Sequence, residues 1–150
     1  YAIDYHDCAS PDEMFRRYRL ACVGGRLIPE GMRADFKWNV HSWDHGPEKW
    51  SELGFDEEEK AFWENPEELL GAPPEEFFRD IVEATELDIY GIDFGIRKDD
   101  GRVIVYEVNS AMAIANGGDL VKFPYRIPQC DHIKGLIIDL LFEKAGKASA

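Results

Sequence analysis

The sequence predicts an α+β domain in which helices flank a mainly antiparallel sheet. Two hairpin patterns indicate the sheet, because runs rich in β-branched and aromatic residues flank Gly24-Gly25 and residues 99–101. Apolar residues recur near the helical period in residues 73–87 and 132–144, which predicts a helix in each stretch. Strands joined by tight turns are antiparallel neighbours, so we expect one sheet built from hairpins.

The first hairpin is predicted from residues 15–23 and 26–32, which are strand-like and flank the glycine pair. Gly-Gly between two such runs is a strong hairpin signal, because glycine adopts the positive φ that tight hairpin turns require. Pro29 lies in the second run and has no backbone N–H. It therefore places that part of the strand at a sheet edge or at a bulge.

Three arginines in the first strand form the densest basic cluster of an otherwise acidic chain. Side chains alternate along a strand, so Arg17 and Arg19 share one face while Arg16 points to the other. An arginine that faces a site binds phosphate or carboxylate through two parallel hydrogen bonds. The alternative is that these arginines form salt bridges to the chain's many carboxylates. Without further evidence, the arginine cluster favours this alternative.

The second hairpin, predicted from residues 92–108, brings two acidic side chains together. A three-residue loop at residues 99–101 pairs Asp93 with Glu107, whereas a two-residue turn at residues 100–101 shifts the pairing by one residue. In the first register both carboxylates point to the same face of the sheet.

Two carboxylates directly opposed on a sheet repel each other, so the pairing of Asp93 with Glu107 requires something that offsets their charge. The simplest candidate is a hard cation, because Mg²⁺ takes one or two carboxylates together with waters and substrate phosphates. Asn109 shares the face of Glu107 and adds a carbonyl oxygen. The alternative is the polar, solvent-facing side of an amphipathic hairpin.

The same stretch resembles the metal-binding end of the ATP-grasp superfamily. The resemblance lies in Gly-Ile-Asp-Phe-Gly-Ile, a short turn, and then Asp-Gly-Arg-Val-Ile-Val-Tyr-Glu-Val-Asn-Ser. In that family the corresponding Asp, Glu and Asn hold the Mg²⁺ ions that bridge the phosphates of ATP. The resemblance therefore implies Asp93, Glu107 and Asn109 as metal ligands, with Mg²⁺ as the metal and Mn²⁺ as an alternative.

The resemblance extends to the first hairpin, which is similar to the central hairpin of ATP-grasp carboxylate–amine ligases of the ribosomal-protein glutamate ligase type. Their arginine lies five residues before the first glycine, a place that Arg19 occupies, and faces the transferring phosphate. Arg17 stands where the family often has Asp. Lys37-Trp38-Asn39 is similar to a basic–variable–Asn segment, which implies a phosphate contact for Lys37 and an amide contact to substrate or phosphate for Asn39.

Two departures from the family pattern concern the substrate loops. The Arg-Gly that usually follows the basic–variable–Asn segment is missing, and residues 42–46 stand in its place. The Pro-Gly that commonly follows the ligating Asn is also missing after Asn109. Gly117 and Gly118 remain as a candidate backbone loop near the acyl substrate.

The resemblance implies a Mg-ATP-dependent ligase that joins a carboxylate to an amine or thiol through an acylphosphate. Its expected ligands are ATP and a small-molecule or peptide carboxylate. The resemblance accounts for the C-terminal lobe of the ATP-grasp fold alone, so we expect the N-terminal lobe in the same or another chain. The chain starts at Tyr1 without Met, which suggests a piece of a longer protein. The alternative is a non-catalytic module that senses nucleotide or binds protein.

Length and charge limit the class of protein. The 150 residues amount to one domain, and 45% of them are hydrophobic, as in an ordinary globular chain. The net charge of −13 argues against a general binder of nucleic acid or anionic membranes, because neutralising phosphates requires clustered Lys and Arg. No run approaches the roughly 20 apolar residues of a transmembrane span.

Cysteine usage and the position of the acidic residues complete the expectations. Cys8, Cys22 and Cys130 are too few for a disulfide framework and wrongly spaced for a zinc site, which favours a reducing cytoplasm. Much of the acid lies in residues 48–76. Residues 47–72 exceed what the resembling ligases have at this place. We therefore interpret them as an acidic insertion and expect them to form a solvated surface excursion, a segment that leaves the core and returns.

Overall fold

The computed structural model of the chain describes residues 4–41, 43, 45–114 and 117–147. Four strands form one antiparallel sheet in the order β2-β1-β3-β4. The strands are β1 (Phe15–Val23), β2 (Arg26–Asp35), β3 (Ile89–Ile96) and β4 (Val103–Asn109). The predicted α+β class, the antiparallel sheet and both hairpins are confirmed.

Seven helices and one 3₁₀ turn are present in the described part of the chain. They are α1 (Pro47–Glu52), α2 (Phe55–Glu64), α3 (Pro66–Leu70), α4 (Pro74–Phe77), α5 (Arg79–Ala84), α6 (Gly117–Lys122), α7 (Ile127–Lys147) and the 3₁₀ turn Pro124–Arg126. No helix in these ranges is both long enough and apolar enough to cross a membrane.

The prediction of one continuous helix over residues 73–87 is wrong. The stretch divides into α4 and α5 at Phe78, whose φ of −100° and ψ of 22° are not helical. Phe78 is buried and its ring lies 5.4 Å from that of Phe94 on the sheet. The break therefore coincides with a tertiary contact that a helical period does not record.

The C-terminal helix is longer than residues 132–144, because α7 begins at Ile127 and runs through Gly146 to Lys147. Pro128 fits in its first turn, where the missing N–H would have no intrahelical partner. The stretch before α7, which had no predicted regular structure, contains α6 and the 3₁₀ turn.

Strand β2 forms one edge of the sheet and carries a bulge beside its proline. Arg19 pairs with Gly31 and the next residue, Leu20, pairs with Pro29, so Glu30 is an extra residue on β2. Pro29 lies at an edge and next to a bulge, in agreement with the prediction. Proline has no backbone N–H to donate to a strand ladder, so it is tolerated at such positions.

One face of the sheet is covered by the helices of the acidic stretch. Tyr18 and Leu20 of β1 and Phe94 of β3 pack there in a single hydrophobic cluster. The helical side chains in that cluster include Trp50, Phe55, Phe62 and Leu70. The prediction of a solvated surface excursion over residues 47–72 is therefore wrong: most of the acids face outward, but Glu59 is buried and the apolar residues between the acids cover the sheet.

The opposite face is covered over part of its length by α7. Ala21 and Val23 of β1 and Ile28 of β2 pack against Ile133 in a second, smaller cluster. Because side chains alternate along β1, Arg17 and Arg19 lie further along this same face. We call it the charged face.

Candidate metal site on the charged face

Asp93 lies opposite Glu107, as predicted, but the register is reached by another route. Near the turn Ile96 pairs with Val103, and Phe94 pairs with Val105. Tyr106 is then an extra residue on β4, and beyond this bulge the pairing becomes that of Asp93 with Glu107. A bulge on β4 thus replaces the expected three-residue loop in setting the register.

Asp93 is almost completely buried, with 1% of its side chain exposed, and is paired with Arg19. Arg19 Nε donates to Oδ1 at 2.5 Å and Nη2 donates to Oδ2 at 2.7 Å. Arg17 Nη1 lies 3.6 Å from Oδ2. A buried carboxylate requires such partners, because an unpaired charge inside a protein is costly.

The hydrogen bonds to Asp93 outweigh the burial of Arg19 and raise the pKa of its guanidinium. The charge that was expected to repel Glu107 is thus already offset by an arginine from the neighbouring strand. Glu107 is exposed and its side chain makes no hydrogen bond or ion pair within the described residues. Its charge still acts on Arg17 and Arg19 at longer range.

Asn109 lies on the same face, opposite Gly91 and two residues along β4 from Glu107. Its Oδ1 accepts a hydrogen bond from the backbone N–H of Ala111 at 2.8 Å, which closes a turn at the end of the strand. A carbonyl oxygen has two lone pairs, so this bond leaves Asn109 able to bind a cation.

Lys37 and Asn39 do not join this group. Both lie exposed on the loop after β2, whose last residue, Asp35, pairs with Phe15. Phe15 is four residues from Arg19 along β1, which is roughly 13 Å at the rise of a strand. Within the described ranges their side chains make no hydrogen bond or ion pair. Their predicted phosphate and substrate contacts stay predictions.

The donor set fits a hard divalent cation in its chemistry. Asp93, Glu107 and Asn109 present oxygen atoms from two adjacent strands on one face, and oxygen is the ligand that Mg²⁺ prefers. No cluster of three or more His, Cys, Asp or Glu side chains forms among the described residues, and the predicted set has two carboxylates and an amide. Metal binding requires Asp93 to exchange Arg19 for the cation.

Two residues near the site were not identified from the sequence. Arg33 pairs directly with Arg17 across the first hairpin, and Tyr106 covers Gly95 so closely that a Cβ there would overlap its ring. A glycine inside a strand signals a close approach of another group, so Gly95 was an available clue. Partial burial raises the pKa of the Tyr106 phenol, and the nearby Cys8 thiol acts in the same direction.

A cleft of about 470 Å³ opens on the opposite side of the sheet, between the N-terminal segment and α2. Its polar groups already bind one another: Arg16 donates to Asp12 and to Glu58, and the Tyr18 hydroxyl donates to Glu58 at 2.8 Å. Mutual satisfaction of these groups leaves the charged face as the better candidate site.

Comparisons of the chain with protein-family models, with curated proteins and with solved structures found no significant match. The relationship to ATP-grasp enzymes therefore stays a prediction from the motif residues.

Proposed function

We propose that this domain is the C-terminal lobe of an ATP-grasp ligase and supplies the metal- and phosphate-binding half of the active site. The reaction is the Mg-ATP-dependent joining of a carboxylate to an amine or thiol through an acylphosphate. The observation that carries the proposal is the pairing of Asp93 with Glu107 on the face that also bears Asn109 and Arg19.

Each residue of the site has a role in the proposal. Asp93, Glu107 and Asn109 hold Mg²⁺, which when bound neutralises phosphate charge and orients the phosphates. Arg19, with 18% of its side chain exposed, is free to turn from Asp93 to a phosphate oxygen and bind it through two N–H groups. Lys37 steadies the phosphates and Asn39 orients the reacting groups.

The proposal includes partners that this chain does not contain. The second lobe, in the same or another chain, closes over ATP from the other side and excludes water from the phosphates. The other substrate is a small-molecule or peptide carboxylate, and the compartment is the cytoplasm. The exposed apolar side chains of Val105 and Val108 on β4, 39% and 42% exposed, are compatible with further chain at this edge.

The test is ATP binding by the longest natural form of the protein, measured by calorimetry with Mg²⁺ and again with EDTA. We expect ATP affinity to require Mg²⁺ and Glu107→Gln to weaken it about tenfold or more, since one charged metal ligand is lost. Glu86→Gln, an exposed acid in the loop after α5, is the matched control. Equal binding with and without Mg²⁺, unchanged by Glu107→Gln, would contradict the proposal.

A non-catalytic, nucleotide-sensing or protein-binding module is the second candidate. It is favoured by one observation: both oxygens of Asp93 are engaged by Arg19, so the pair is stable without metal. Under this alternative the protein binds Mg-ATP or a protein partner but forms no ADP with any carboxylate substrate. Formation of ADP and phosphate that depends on an added carboxylate would exclude it.

A further inference from the structure

Two arginines face each other across the first hairpin. Arg17 on β1 pairs directly with Arg33 on β2, which places their Cβ atoms about 5 Å apart on the charged face. Both are largely buried, with 20% and 19% of the side chain exposed. Like charges opposed on a sheet are destabilising, and partial burial strengthens the effect.

The surrounding groups satisfy Arg33 better than Arg17. Arg33 donates to the backbone carbonyl of Met32 at 3.0 Å and to Asp119 at 3.3 Å. The Arg17 side chain makes no hydrogen bond with any described residue. Its nearest anion is Asp93 Oδ2 at 3.6 Å, an oxygen that already accepts from Arg19 at 2.7 Å.

Arg17 is therefore a largely buried cation whose side-chain donors form no hydrogen bond with the residues that the structure describes. A guanidinium has five N–H donors in a planar fork, and these match the oxygens of phosphate. A ligand with negative charge would relieve both the repulsion and the unused donors.

Asp93, Asp119 and Glu107 do not fill that position. Asp93 is held by Arg19, and Asp119 reaches Arg33 from α6 rather than Arg17. Glu107 lies on β4 beyond Asp93 and makes no ion pair within the described ranges. Arg33 thus lies on the outer strand β2, at the opposite edge of the sheet from Glu107 on β4, and Arg17 lies two residues before Arg19 on β1.

We propose that Arg17 and Arg33 bind an oxyanion of the phosphate class between β1 and β2, next to the candidate metal site. The inference rests on the proposed function only for the source of the anion, which there is a phosphate of the nucleotide. The site itself needs no metal, because its ligands are two guanidinium groups rather than carboxylates.

The test is calorimetric titration of the protein with pyrophosphate in EDTA, which keeps metal away from the carboxylates. We expect Arg17→Gln and Arg33→Gln each to weaken binding about tenfold, since a hydrogen bond between charged groups is lost. Arg26→Gln is the matched control, because Arg26 is exposed at the start of β2 and should leave binding unchanged. Circular dichroism shows whether each variant is folded.

A second measurement does not depend on affinity. Because Arg17→Gln removes a like-charge contact, the variant should unfold at equal or higher urea concentration than the wild type when no anion is present. Pyrophosphate should raise the unfolding midpoint of the wild type and of Arg26→Gln, but not that of Arg17→Gln. Displacement of pyrophosphate by ATP assigns the site to a nucleotide, and displacement by inorganic phosphate alone assigns it to free phosphate.

The outcomes separate this inference from the proposed function. If pyrophosphate fails to bind the wild type in EDTA, or binds the two variants as tightly as the control, the oxyanion site is refuted even when Mg-ATP binding depends on Glu107. If pyrophosphate binding depends on Arg17 and Arg33 while Glu107→Gln leaves ATP binding unchanged, the oxyanion site stands and the ligase proposal fails.

Discussion

Two carboxylates in the described part of the chain are almost completely buried, and they differ in how their charge is balanced. Glu59 on α2 has none of its surface exposed, and Asp93 on β3 has 1%. Each is paired with an arginine, Arg126 for Glu59 and Arg19 for Asp93. Burial and an ion pair are thus common to both, and neither property alone distinguishes a structural acid from a candidate ligand.

Glu59 is held by three donors from two separate parts of the chain. It accepts from the backbone N–H of Met32 at 2.7 Å, from the Tyr125 hydroxyl at 2.6 Å and from Arg126 Nε at 2.7 Å. Arg126 is itself buried and lies 4.3 Å from the centre of the Phe123 ring. The group joins α2, β2 and the 3₁₀ turn, and it has no side that opens to a ligand.

Asp93 receives its hydrogen bonds from a single residue that keeps some access to water. Arg19 is 18% exposed, and the next strand places the exposed Glu107 directly opposite Asp93. Arg19 can leave the carboxylate without separating two elements of the fold. The comparison suggests that a buried acid becomes a ligand candidate when its partner is replaceable and a second acid faces it.

The largest effect that tests this comparison is expected for Glu59→Gln. Arg126 would remain buried without its counter-ion, so the free energy of unfolding should fall by about 3–5 kcal/mol. Urea unfolding followed by circular dichroism measures the change. Glu67→Gln, an exposed acid in the same acidic stretch, should stay within about 0.5 kcal/mol of wild type.

A double variant controls for general damage from the Glu59 substitution. Glu59→Leu combined with Arg126→Met removes both charges and should recover part of the lost stability, since no buried charge remains unpaired. If Glu59→Gln is no more destabilising than Glu67→Gln, the group around Glu59 is not structural and the contrast with Asp93 disappears.

The second prediction concerns Asp93→Asn, for which we expect a smaller loss of about 2–3 kcal/mol. Arg19 loses its counter-ion but, being partly exposed, can turn towards water. The reverse change, Arg19→Met, leaves Asp93 buried without its main partner and should cost more. Urea unfolding of both variants measures this order, and a loss from Asp93→Asn equal to that from Glu59→Gln would show that Asp93 is equally structural.

Much of the arrangement around Asp93 follows from local features of the sequence. Alternation along β3 and β4 and the turn residues between them predicted which acids share a face, and the glycine pair predicted the first hairpin. The bulge at Tyr106 was not predictable, because it depends on how its ring packs over Gly95. The turn and the bulge at Tyr106 together set the register, and the result is still the predicted pairing of Asp93 with Glu107.

Glu59 shows why the rest was not predicted. It is one of three consecutive glutamates, and its neighbours Glu57 and Glu58 are exposed or half-buried. Its partners Tyr125 and Arg126 are more than 60 residues away, at separations of 66 and 67. No local pattern marks which acid of such a run points inward, so the stretch resembled a solvated surface.

The smallest effect is expected for Tyr125→Phe, which removes one donor from Glu59 and leaves the other two in place. The lost hydroxyl also accepts from Trp50 Nε1 at 2.8 Å, so the indole N–H would be left without that partner. Burial and the charge of Glu59 raise the pKa of this phenol, which therefore keeps its proton at neutral pH. We expect the free energy of unfolding, measured in urea, to fall by about 1 kcal/mol, because Arg126 and the backbone of Met32 still balance the carboxylate.

A loss as large as that of Glu59→Gln would mean that the hydroxyl, and not the arginine, balances Glu59. In that case the difference between Glu59 and Asp93 would lie in their hydrogen bonds and not in how an arginine balances their charge.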